Sequence, residues 1–111
     1  VVLRAKSNDS LVLMVDAYDV LFSPEASVEQ LCHRFKELGW PVVLGAESRC
    51  VPDTCAGAGG QTNGEIMPPQ RYLNSGTLLG RAGALREIFA RHMWPEPVDD
   101  QTWWGQVWQK E

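Results

Sequence analysis

The apolar run Leu11-Val12-Leu13-Met14-Val15 stops at Asp16-Ala17-Tyr18-Asp19 and resumes as Val20-Leu21-Phe22. A run so short and so uniformly apolar predicts a strand over 11–15 buried on both faces, as in a parallel sheet covered by helices. Ser23-Pro24-Glu25 marks a helix entry, with proline near the first turn. From residue 27 to 38 the apolar positions Val28, Leu31, Cys32, Phe35 and Leu38 recur at helical spacing, which predicts an amphipathic helix. Gly39 closes it, and Trp40-Pro41 turn the chain into a second short buried strand, Val42-Val43-Leu44. Strand, helix and strand of these lengths predict a βαβ unit, right-handed and parallel.

Residues 49–69 carry much of the glycine and proline, including Ala56-Gly57-Ala58-Gly59-Gly60, and read as a long loop, either one placed over a site or a plain variable surface insertion. Apolar character returns at Arg71-Tyr72-Leu73 and at Thr77-Leu78-Leu79, with Asn74-Ser75-Gly76 between them, a pattern that predicts a strand broken by a tight turn or by close backbone approach. Leu85, Ile88, Phe89 and Met93 share one face of a helix predicted over 82–93, which Pro95 and Pro97 end. Asp99-Asp100-Gln101 then leads into a final helix rich in tryptophan, with acids suited to the positive end of a helix dipole.

Composition sets bounds on this picture. With 44% apolar and 22% charged residues the chain is that of an ordinary globular domain, and no apolar run is long enough to span a bilayer. A formal charge of -4 with scattered arginines and lysines argues against nucleic acid as a partner. It also means that an anionic substrate such as a nucleotide diphosphate would be better tolerated with a bound cation to offset the charge. Cys32, Cys50 and Cys55 lack the paired spacing of a zinc site, and whether Cys50 and Cys55 bridge is left open. The chain starts at Val1-Val2 and ends in an aromatic, helix-compatible stretch, so it is expected to be an internal piece of a larger domain.

Three polar interruptions remain: Asp16 with Asp19, Asn74-Ser75-Gly76, and Asp99-Asp100-Gln101. Paired carboxylates at the carboxyl end of a strand repel unless something positive lies between them, and a hard divalent cation is the usual partner. Ligands of open α/β sheets gather at that end. Each interruption also has a plainer explanation. Asp16 and Asp19 suit a turn after a strand, Asn74 suits a turn closed by its own side chain, and Asp99 or Asp100 suits a helix N-cap.

In order and spacing, the segments VLMVDAYDVLF, VVLGAESRCVPD, RYLNSGTLLGRAGALREIF and DDQTWW resemble the glycosyltransferase domain at the amino end of procollagen lysyl hydroxylases and related collagen glycosyltransferases. The resemblance implies an α/β fold of GT-A (Rossmann-like) type, with a mixed sheet flanked by helices. Residues 1–111 would be the central part of that domain, the nucleotide-binding start and the carboxyl end lying outside it. It further implies a UDP-sugar donor and manganese or another divalent cation held by Asp16 and Asp19, the shell being completed by a histidine from beyond the carboxyl end. Asn74, Ser75, Gly76, Gln101 and Glu47 would line the substrate crevice, and Asp99 and Asp100 would lie beside the transferred sugar and the acceptor. A protein or glycan hydroxyl would accept the hexose, with (galactosyl)hydroxylysine of collagen-like proteins the implied case, in the endoplasmic reticulum or secretory pathway.

Two other readings of the residues stay open at this point. A metal-dependent phosphohydrolase would use a strand-end acid as nucleophile but leaves Asn74 to Gly76 and the later acids without a role. A glycosyltransferase-like domain that binds carbohydrate without catalysis would keep the fold alone. Trp103 and Trp104 are candidates for stacking near the sugar, although tryptophan is more often core. Neither His33 nor His92 reads as a ligand.

Overall fold

The computed structural model describes residues 7–49, 72–93 and 98–110. The loop expected over 49–69 therefore lies, Arg49 apart, outside the described residues, as do Cys50, Cys55, Trp94, Pro95 and Pro97. Six elements follow in order: β1 (Leu11–Val15), α1 (Val28–Leu38), β2 (Val42–Glu47), β3 (Tyr72–Arg81), α2 (Ala82–Arg91) and α3 (Asp100–Trp108).

Local sequence accounts for the first helix closely. Ser27 is its N-cap, with Oγ accepting from the Gln30 N–H at 3.3 Å. The turn at Ser23-Pro24-Glu25, closed by Ala26 N–H to the Ser23 carbonyl at 3.0 Å, precedes the helix rather than starting it. Gly39 ends the helix at φ 72°, a left-handed conformation that a side chain would strain.

The sheet corrects the expected parallel unit. Its order is β1-β3-β2, and β3 pairs antiparallel with both neighbours, Leu11 facing Arg81 on one side and Val42 facing Gly80 on the other. The outer strands thus run parallel to each other, as a helical crossover requires, but are not adjacent. Crossover length sets relative direction and leaves open whether a later strand fills the gap. Of the mixed sheet expected, the described residues supply antiparallel pairings only.

Burial corrects a second expectation. β1 has one strand neighbour among the described residues, and Leu13, Met14 and Val15 are 38%, 44% and 36% exposed rather than buried on both faces. The core lies instead where α2 and α3 cover one face of β3. Leu78, Leu85, Trp103, Trp104 and Val107 form it, with Val12, Val42, Leu44 and Phe89 packed around them. Leu85 is fully buried because Gly80 leaves room for it: a Cβ at Gly80 would lie 3.1 Å from Leu85 Cγ. Phe89 stacks on Trp103 with ring centroids 5.3 Å apart, and Trp103 meets Trp104 edge-on at 4.8 Å. Both indoles are therefore core and not sugar platforms. Toward the other face, Arg81 lies over the buried ring of Phe35 on α1 at 5.9 Å.

Three helices on a three-stranded sheet make a small α/β unit. Among the described residues no helix is long and apolar enough to cross a membrane.

Candidate functional site

The site forms where β3 departs from regular pairing. Leu44 faces Leu78, but the next residue of β2, Gly45, faces Asn74, so Ser75, Gly76 and Thr77 bulge out of the β2 ladder. The strand is therefore bulged and not broken, as the polar interruption had suggested. Gly45 permits the close approach, since a Cβ there would lie 3.2 Å from the Asn74 carbonyl oxygen. Asn74 turns its own side chain into the bulge, with Oδ1 accepting from the Gly76 N–H at 2.9 Å.

The bulge brings the end of β1 into the same place. Asp16 N–H donates to the Gly76 carbonyl at 2.9 Å. A Cβ built on buried Gly76 would lie 2.8 Å from Asp16 Oδ2 and 3.0 Å from Asn74 Oδ1. Two oxygens from different strands thus crowd over one bare Cα. Asp19 follows in the exposed segment after β1 and does not share this contact.

A second group of expected residues meets on the other side of the bulge. Gln101, in the first turn of α3, accepts through Oε1 from Ser75 N–H at 2.9 Å and from Ser75 Oγ at 3.3 Å. Its Nε2 donates to Glu47 Oε1 at 3.0 Å. Glu47 is the last residue of β2, not a loop residue beyond it.

The acid pair divides. Asp99 is the N-cap of α3, accepting from Thr102 N–H through Oδ1 at 2.9 Å and from Thr102 Oγ1 through Oδ2 at 2.8 Å. Asp100 is the first helical residue and is exposed. The backbone N–H of Thr102, then its hydroxyl, hold the Asp99 carboxyl below its ordinary value. A depressed carboxyl pKa adds stability that is complete above the unfolded value and disappears as pH falls through the folded one. Asp99→Ala is accordingly expected to lower the thermal midpoint at neutral pH, with the deficit shrinking in acid. Asp99→Asn, which still presents an acceptor to Thr102 N–H, should stay closer to the parent. Thermal unfolding of the three proteins across pH checks this, and a deficit for Asp99→Ala that persists in strong acid would refute it.

Two contributors went unnoticed in the sequence, and each had a signal. Thr102 stands at the i, i+3 spacing from Asp99 at which a helix N-cap carboxylate accepts from the third helical residue. Gly45 interrupts an otherwise strand-like run, a common sign that another stretch of backbone approaches closely.

The donor set fits a hard cation in part. Asp16 offers a carboxylate and Asn74 a neighbouring amide oxygen, yet the described residues contain no group of three His, Cys, Asp or Glu that could hold a metal. A magnesium- or manganese-like ion commonly takes only one or two carboxylates from protein and fills its shell with water and phosphate oxygens. An open cleft lined by Arg91, His92, Gln106 and Lys110 contains none of these site residues.

Comparison with known proteins adds the following. The model of the PLOD GT domain family matches residues 2–111. The chain is 31% identical over 104 residues to the multifunctional procollagen lysine hydroxylase and glycosyltransferase LH3 of Rattus norvegicus, covering 94% of this chain and 13% of that protein. The Homo sapiens counterpart is 29% identical with the same coverage. A procollagen-lysine,2-oxoglutarate 5-dioxygenase of Drosophila melanogaster is 28% identical over 106 residues, which span 93% of this chain and 14% of that protein. The chain thus spans only about one-seventh of the length of these relatives.

Proposed function

This chain belongs to the PLOD GT domain family, GT denoting glycosyltransferase, and from that premise we propose that it is part of a metal-dependent glycosyltransferase moving a hexosyl unit from a UDP-sugar to a hydroxyl. The acceptor is a protein or glycan hydroxyl, with hydroxylysine or its galactosylated form in a collagen-like protein the leading case. Its setting is the secretory pathway, where collagen-type substrates are made. The observation that carries the reading is the convergence of Asp16 Oδ2 and Asn74 Oδ1 over Gly76, beside the Glu47–Gln101–Ser75 chain of hydrogen bonds. A phosphohydrolase would leave that second group without a use.

Each residue has a role in this reading. Asp16, with Asp19, would hold the cation. Such an ion, when bound, offsets charge developing on the departing diphosphate. Asn74 Oδ1 has two lone pairs, so it can accept from the Gly76 N–H and still face a cation, while Nδ2 is the group it presents to a sugar or acceptor hydroxyl. Asp99 is committed to its cap, which leaves Asp100 as the acid that orients sugar hydroxyls. In an inverting transfer, Asp100 also receives the proton of the attacking hydroxyl as that oxygen bonds to the anomeric carbon and the diphosphate leaves.

Calorimetry of the full-length protein with UDP, with and without manganese, tests the reading. Binding that depends on manganese is expected. Equal binding without the ion would remove the cation from the account, and no binding under either condition would favour a domain that kept the fold without the chemistry.

A further inference from the structure

The last residue of β2 and the first turn of α3 deliver Glu47 and Gln101 to one point, where the polarity of each hydrogen bond is set by its ends. Ser75 N–H can only donate, and an ionised Glu47 carboxylate can only accept. Gln101 carries one group of each kind and therefore joins them in a single orientation, Oε1 toward Ser75 and Nε2 toward Glu47. Turned over, the amide would set donor against donor and acceptor against acceptor. All three residues are partly buried, so neither mismatch would be relieved fully by water.

We propose that Glu47 is a positioning residue that acts through Gln101 rather than a group that touches substrate. By holding the amide in its one productive orientation it ties the β3 bulge, and with it Asn74, to the start of α3, and with it Asp100. Those two residues come from separate elements, β3 and α3, which the Ser75–Gln101 hydrogen bonds join at this point. The kinetic consequence rests on the sugar-transfer reading above, whereas the effect on the Ser75 amide does not.

Two measurements on the full-length protein test the proposal: steady-state transfer from a UDP-sugar, and hydrogen exchange of the Ser75 amide. Glu47→Ala is expected to lower kcat about 10- to 100-fold with donor and acceptor KM little changed, as the loss of a part-buried hydrogen bond to a charged group implies. Glu47→Gln keeps an acceptor for Gln101 Nε2 and should retain most of the rate. The double variant Glu47→Ala/Gln101→Ala should be no slower than Gln101→Ala, because the first change has nothing left to act through. Ser75 exchange should quicken in Glu47→Ala and in Gln101→Ala and stay at the parent rate in Glu47→Gln. A raised KM with losses that multiply in the double variant would overturn the proposal in favour of direct substrate contact. Unchanged Ser75 exchange in Glu47→Ala would overturn it outright. If Glu47→Ala does not fold, Gln101→Ala probes the same link from the helix, and unchanged exchange there is equally fatal. Should the parent protein transfer no sugar, the functional reading fails by itself while the exchange result still decides the role of Glu47.

Discussion

Asp16→Ala is expected to reduce cation-dependent sugar transfer by the full-length protein about a thousandfold, the rate equivalent of roughly 4 kcal/mol of lost transition-state stabilisation. Folding should be nearly untouched, because Asp16 is exposed and its structural contact is made by the backbone. The N–H donates to the Gly76 carbonyl at 2.9 Å whatever the side chain. Only the carboxylate is removed, and with it the strand-end charge that a divalent ion would answer. Asp19→Ala is expected to act in the same direction, since an exposed acid three positions on has no fold contact to lose. Initial rates against manganese concentration, alongside thermal unfolding, make the check. Parent-like turnover in Asp16→Ala would remove the role assigned to the residue, and a matching fall in thermal stability would show that the loss was structural.

Gly76→Ala is expected to cost about a hundredfold in transfer rate, the scale on which small misplacements of positioned groups are felt. The reason is steric and not conformational, since Gly39 is the described residue with positive φ. An added methyl at Gly76 would lie 2.8 Å from Asp16 Oδ2 and 3.0 Å from Asn74 Oδ1, so both oxygens must move. The bulge is also anchored through Gly76 itself, by its N–H to Asn74 and its carbonyl from Asp16. The stability cost should be small, about 1 kcal/mol, because Asp16 Oδ2 is the end of an exposed side chain and the one bond disturbed is that from Gly76 N–H to Asn74 Oδ1. UDP binding in the presence of manganese should weaken along with the rate. A variant that keeps parent affinity and rate would show that the space over Gly76 is not part of the site. Gly45→Ala is a useful comparison, since its Cβ would press on the Asn74 carbonyl oxygen at 3.2 Å and leave Asp16 alone.

Most of the linear organisation was legible in the residues. The strand over Leu11–Val15, the helix ending at Leu38 and the left-handed Gly39 follow from periodicity and from the backbone freedom of glycine, which are properties of neighbours in sequence. Asp16, Asn74 and the acids before α3 stood out for the same reason, as polar groups interrupting apolar runs. Burial was less legible. The five apolar residues of β1 read as an interior strand, but strand burial depends on what lies beside it, and no local pattern reports that. Trp103 and Trp104 are equally suited to sugar stacking or to core, and the stacking of Phe89 on Trp103 decided for core.

By itself, the sequence determined where the strands and helices lie, that α1 ends at Gly39, and which acids and amides interrupt the apolar runs, because each of these is set within a few residues along the chain. Only the tertiary structure decided that β3 runs between β1 and β2, that its bulge sets Asn74 beside Asp16, that Gln101 bridges Glu47 and Ser75, and that Asp99 caps α3. Those outcomes depend on contacts between residues far apart in the chain, and, for Asp99, on which of two adjacent acids becomes the first residue outside the helix. Strand order is settled by how the whole core packs, with Leu85 against Gly80 and the indoles against Phe89, and no window of sequence contains that information.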